Sequence, residues 1–104
     1  MADYLANVKK YVDSPNEDAV QALVGHLGLA LESRDSALVA ATDPEELASI
    51  KSGYCSKTLA LSAEEADKAM QLVCDKMKGD TAKCRVTFYY LLAQESNSMD
   101  RLAA

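Results

Sequence analysis

The sequence predicts an all-α fold: a single compact domain of about five helices packed around a C-terminal, aromatic-rich helix. Three observations predict it. The first is Arg85-Val-Thr-Phe-Tyr-Tyr-Leu-Leu-Ala93, an apolar run holding three of the six aromatic residues in a row. Such a run is either a helix buried over most of its surface or a buried strand, and periodicity alone does not separate them. Its β-branched and aromatic content favours a strand, but a strand needs a partner and no second credible strand is found. The second is a set of start signals, at Ser14-Pro15, Asp43-Pro44 and Ser62, each opening an amphipathic stretch. The third is length: 104 residues suffice for one domain and one core, and are too few for two domains.

Taken in order, Asp3 caps a first helix running to about Val12, with Leu5, Val8 and Val12 on one face. It is short enough to need tertiary packing. Ser14 then caps a second helix, with Pro15 at the first helical position and Glu17 reaching back to complete a capping box. Val20, Leu23, Val24, Leu27 and Leu31 recur at helical spacing and carry this helix to about Glu32. Gly25 and Gly28 lie inside it and would either allow close packing or, at Gly28, end it.

Ser33 to Ser36 is a polar break, and Ala37 to Ala41 a short apolar piece of one or two helical turns. Asp43, Pro44 and Glu46 repeat the start signal for a helix that carries Leu47 and Ile50 and fades near Lys57. Gly53 weakens its middle by ~1 kcal/mol relative to alanine. Leu59 and Leu61 read as core contacts in the connection. Ser62 and Glu65 form the next capping box, opening a helix with Ala66, Met70, Val73 and Met77 on one stripe. Acids at its start and lysines at its end suit the helix dipole. Gly79 is the expected left-handed terminator. Asp80 or Thr81 caps the central helix, which runs to about Glu95. Residues 1–95 thus form the domain, and 96–104 a polar, frayed tail.

Composition narrows the function classes. The net charge is −5, with 16 acids against 11 lysines and arginines, whereas a duplex-binding protein needs a basic face for phosphates. Nucleic acid and anionic membrane surfaces are therefore not expected partners. No apolar run approaches the ~20 residues of a membrane span, and the start Met-Ala-Asp-Tyr-Leu lacks the pattern of a secretory signal. The three cysteines, at 55, 74 and 84, read as reduced thiols of a cytoplasmic protein.

Candidate chemistry is sparse. The cysteines have no paired spacing and His26 is the only histidine, so no metal site and no cofactor is expected. His26 reads as a solvated or core-edge residue. No catalytic residue is assigned, although Cys84, in the first turn of the central helix beside Lys83 and Arg85, is the cysteine best placed to be a nucleophile. The departure from pattern is basic: Lys76, Lys78, Lys83 and Arg85 fall within ten residues of an acidic protein. Cations around a helix N-terminus suggest an anion or nucleotide site at Lys78, Lys83 and Arg85. The competing reading pairs Arg85 internally, with Asp35 or Asp80, and leaves the lysines in water. Tyr89 and Tyr90 point about 100° apart on a helix, so one of them could emerge at a surface and mark a protein partner or homodimer.

Several stretches carry a wider likeness: Asp3-Tyr-Leu5, Val8-Lys-Lys-Tyr-Val12, His26-Leu-Gly28, Ser33-Arg-Asp35, Asp43-Pro44, Glu46-Leu47, Lys57-Thr-Leu-Ala-Leu61 and Arg85 to Ala93. Through them the chain resembles a family of small, uncharacterised, mainly bacterial proteins known as a domain of unknown function. The resemblance spans nearly the whole chain and implies a helical protein of the bacterial cytoplasm, with no activity or catalytic residue to transfer. Members of that family often carry glycine where this chain has Ala60, so no special backbone geometry is expected at that turn. The function expected is non-enzymatic binding, to a protein partner or to itself, near the central helix. The anion module and a Cys84-dependent enzyme are the alternatives.

Overall fold

The computed structural model describes residues 4–28, 38–39, 43–78, 83–96 and 98. Their chain order is α1 (Tyr4–Val8), α2 (Glu17–Leu27), β1 (Leu38–Val39), α3 (Pro44–Ile50), a π-helix (Lys51–Thr58), α4 (Ala63–Lys76), β2 (Lys83–Cys84) and α5 (Arg85–Glu95). The molecule is mostly helical and compact, with a Cα radius of gyration of 12.3 Å. Every residue of α5 from Val86 to Ala93 is buried. It is covered by α1, α2, α4 and the two short strands, while the π-helix packs on α4 and α3 packs on the π-helix.

Polar ties fix this enclosure. Thr87 is fully buried, and its hydroxyl donates to Asn7 Oδ1 at 2.5 Å, holding α1 on α5. The Tyr90 hydroxyl accepts from the Asn16 backbone N–H at 2.8 Å, at the mouth of α2. Tyr89 and Tyr90 are therefore both buried, and the reading in which one of them emerges at an interaction surface is not met. The geometric reason is that α5 is packed around nearly its whole circumference, leaving Tyr89 only 7% exposed, so residues 100° apart both meet protein.

The start of α2 also differs from expectation. Its N-cap is Asn16, two residues later than Ser14, and Asn16 Oδ1 accepts from the Ala19 N–H at 3.2 Å. The Asn16 side chain reaches the N3 amide of Ala19, its own N–H is taken by Tyr90, and Glu17 stands at the first helical position, where it closes no box. The helix stops at Leu27 with Gly28 as its C-cap, short of Glu32. Close packing does not explain the glycines, because a Cβ built on Gly25 or Gly28 meets nothing within 4 Å among the described residues. α1 ends at Val8 rather than Val12, as shorter-range bonds from Lys10 to Asn7 and from Tyr11 to Val8 tighten its last turn.

Within the piece expected to turn helically, Leu38 and Val39 form a strand, antiparallel to Lys83 and Cys84. Lys83 thus lies on a strand and not in the first turn of α5. Two-residue strands have no periodicity to read, and non-local pairing decides their conformation. Asp80 and Thr81 lie outside the described residues, and the N-cap of α5 is Cys84, which makes no side-chain cap bond. Asp3, the 33–36 break, Gly79 and most of the tail also lie outside them. Ser98 is buried, and its N–H donates to Ala93 O at 2.7 Å.

Asp43 caps α3 as expected, accepting from the Glu45 N–H at 3.0 Å with Pro44 following. The Ser62–Glu65 box is complete in both directions, at 3.2 and 3.1 Å. Beyond Ile50 the chain passes into a π-helix rather than fading. Ile50, Tyr54, Cys55 and Leu59 are all buried. On an α-helix Leu59, nine residues after Ile50, would lie about two and a half turns on, on the opposite face. The wider π turn, closed by bonds such as Leu59 N–H to Tyr54 O at 3.0 Å, brings these four side chains onto one face.

The π-helix ends through Ala60, at φ 53, the one described non-glycine residue with positive φ. This overturns the expectation of an ordinary turn. The left-handed residue reverses the chain so that Leu59 and Leu61 both enter the core, and the Leu61 N–H donates to Cys55 O at 2.9 Å. The conformation costs an alanine roughly 1 kcal/mol, which explains why glycine suits this position. Ala60→Gly is expected to stabilise the protein by about 0.5–1 kcal/mol, measured by urea denaturation. Asn16→Ala should lose about 1 kcal/mol and Ser14→Ala almost nothing. Equal losses would return the cap to Ser14.

Candidate functional site

An open concavity of about 850 Å³ lies between the end of α2, the π-helix and α5. Gly25, His26, Leu27 and Gly28 form one wall, and Ser49, Gly53, Lys57 and Thr58 another. Its floor is Tyr54 and Tyr89, whose rings stack with centroids 4.1 Å apart and planes at 26°. The Tyr54 hydroxyl donates to Tyr89 O at 2.8 Å. Burial pushes the Tyr54 and Tyr89 hydroxyls above the ordinary tyrosine range, with Arg85 pulling Tyr89 partly back. Both stay protonated at neutral pH.

Arg85 sits behind this floor. Its guanidinium pairs with Glu46, donates to Leu38 O at 3.2 Å and to the Tyr89 hydroxyl at 3.3 Å, and lies 5.8 Å from the Tyr89 ring centroid. Burial alone would lower its pKa, but the bonds to Glu46 and Tyr89 outweigh this and raise it. Glu46, expected to strengthen the start of α3, turns instead to this guanidinium. One guanidinium therefore ties β1, α3 and α5 together beneath the concavity, by an ion pair to Glu46 and a hydrogen bond to Leu38 O. Glu46 is distant from Arg85 in sequence and close in the fold, while Asp35 and Asp80, the partners expected for Arg85, lie outside the described residues.

The residues singled out for an anion site are distributed as follows. Lys78 is exposed just past α4, Lys83 is half-buried on β2, and Arg85 opens α5 with its guanidinium committed to Glu46 and its neighbours. Lys76, from the same basic stretch, pairs with Glu95 at 2.5 Å. Cys55 and Cys84 are buried and Cys74 half-buried. Burial pushes the Cys55 thiol up to about 11, slightly offset by Lys51. Burial also raises Cys74, against a lowering by Lys83. No group of three or more His, Cys, Asp or Glu side chains gathers as a metal site among the described residues. No described helix is long and apolar enough to cross a membrane.

A model of the family "Protein of unknown function (DUF2853)" matches residues 3–100. The chain belongs to this family. No curated protein matches it. Membership in DUF2853 covers the concavity and the Arg85–Glu46 pair alike, and assigns no activity to either.

The concavity was missed in the sequence because its parts look like defects. Gly25 and Gly53 each weaken a helix, and His26 and Lys57 read as solvated residues. The signal that could have found it is the pair of glycines inside helical stretches, Gly25 and Gly53, with no turn to make: none of the described glycines has positive φ.

Two outcomes follow for the thiols. Cys74 should react with a thiol reagent well before Cys55 and Cys84, monitored by mass. A raised folded pKa means the native state holds its proton longer than the unfolded chain. The Cys55 contribution is therefore full below about pH 9 and fades as pH rises toward about 11. Urea midpoints should fall from pH 9 to 10, and Cys55→Ala, less stable overall, should show a flatter fall.

Proposed function

We propose that this DUF2853 protein is a non-enzymatic binding protein of the bacterial cytoplasm, holding a small molecule in the concavity between α2, the π-helix and Tyr89. The observation that carries this reading is the state of its three glycines. A Cβ at Gly25, Gly28 or Gly53 would meet nothing within 4 Å among the described residues, and none of the three has a positive φ. Gly28 ends α2, at φ −3, but among the described residues Gly25 and Gly53 have no such role, although glycine within a helix costs about 1 kcal/mol relative to alanine. Bare backbone kept at that cost around one opening leaves room for an outside group. The volume, about 850 Å³, falls in the range of small-molecule sites, roughly 300–1,000 Å³. The adjoining π-helix is of a type that recurs at functional sites.

Other readings have less support. An anion or nucleotide site at Lys78, Lys83 and Arg85 would have to compete with Glu46 for the guanidinium. A protein partner or homodimer loses its tyrosine argument, and Leu72 is the one large hydrophobic residue exposed among those described. A Cys84-dependent enzyme would need a buried thiol at a helix cap to reach its substrate.

Native mass spectrometry of the protein recovered from its own source cells tests the proposal. The expected mass exceeds the bare chain by that of a small organic molecule. The Gly25→Leu/Gly53→Leu double variant should be recovered bare, yet melt higher, with about 1 kcal/mol of added stability raising Tm by roughly 4–8 °C. A bare wild-type chain, or a variant that keeps the extra mass, would overturn it.

A further inference from the structure

Resting on the concavity as the binding site, we infer that its ligand is a small, flat organic monoanion, with its ring or planar body over Tyr54 and Tyr89 and its charged group at Lys57 and His26. Charge complementarity is the first ground. The protein carries a net charge of −5, yet the described lining of this opening holds one lysine, one histidine and no carboxylate. Among the described residues an anion therefore meets a lysine and a histidine and no opposing carboxylate in this lining.

The second ground limits how much charge the ligand carries. The concavity is bordered by the C-terminal ends of α2, at Leu27 and Gly28, and of the π-helix, at Lys57 and Thr58. Helix C-termini present the negative end of the dipole and carbonyl oxygens. A phosphate or other polyanion is held by N–H groups at helix N-termini and by arginine forks, and the lining described here offers neither. One carboxylate can be met by Lys57 and His26, while the carbonyl ends accept from an O–H or N–H on the ligand body.

The third ground is the floor. The stacked Tyr54 and Tyr89 rings are fixed from below by the Tyr54 bond to Tyr89 O and by Arg85 on the Tyr89 hydroxyl. The glycines at 25, 28 and 53 add no side chain above it. A rigid aromatic floor beneath an open, side-chain-poor space suits a flat body better than a branched one.

The test is an NMR titration of the full chain with three probes: 4-hydroxybenzoate, the uncharged 4-hydroxybenzyl alcohol, and inorganic phosphate. The expected result is that 4-hydroxybenzoate shifts the amides of Gly25, Gly28 and Gly53, and that the alcohol binds roughly fivefold more weakly, the size of one partly screened charge pair. Phosphate should leave these amides unmoved, and Lys57→Gln, on an exposed side chain, should bring the acid down to the alcohol's affinity. Equal binding of acid and alcohol would overturn the charge assignment and leave the concavity standing. Phosphate acting as strongly as the acid would overturn the flat organic body. If no probe moves these amides, the monoanion class is overturned, and the recovered native mass judges the concavity separately.

Discussion

A helix packed around nearly its whole circumference is the constraint on which the rest of this structure depends. From Val86 to Ala93 no residue of α5 is exposed, so each surrounding element must cover one part of it. Burial of that much apolar surface is the main driving force, but it brings polar groups inside that must be satisfied. The structure answers with four ties from α5 or onto it. Thr87 holds Asn7, Tyr90 holds the Asn16 N–H, Tyr54 bonds Tyr89 O, and Arg85 bonds Tyr89 as well as Glu46. No buried side-chain polar atom among the described residues lacks a partner. The surrounding helices are thereby fixed in position as well as packed.

This explains which parts of the fold were legible in the sequence. The Ser62 box and the Asp43 cap depend on residues three or fewer apart, and local chemistry suffices to read them. The α2 cap moved from Ser14 to Asn16 because Tyr90, 74 positions away, takes the Asn16 N–H. Helical rather than strand character for the apolar run followed from the lack of a long partner strand, and the pair that does exist, Leu38–Val39 with Lys83–Cys84, is too short to leave a pattern. Arg85 was visible as an oddity, a cation opening a helix, but Glu46 lies 39 positions away, and that partner could not be read from spacing.

The candidate site was less legible for the same physical reason that makes it a candidate. A site formed by omission, with glycines where side chains would fit, gives no motif. The π-helix deepens this difficulty. Ile50, Tyr54 and Leu59 stand four and five apart, a spacing that an α-helical reading takes for decay of the pattern. It is instead the spacing that gathers Ile50, Tyr54, Cys55 and Leu59 on the core side, while Gly53, Lys57 and Thr58 border the opening. The same unusual winding therefore serves both the core and the concavity, with Tyr54 shared between them, and Ala60 bears the strain of ending it.

Native-state hydrogen exchange tests the central claim, that α5 is the enclosed element from which the others are positioned, most directly. Amides of α5 from Tyr89 to Ala93 should exchange only through global unfolding, with the highest protection in the chain. Those of the π-helix should open locally at a lower free energy, because this strand of backbone borders the concavity. Faster exchange in α5 than in α2 or α4 would contradict the account, since it would mean that the helix opens while its supposed cover stays closed.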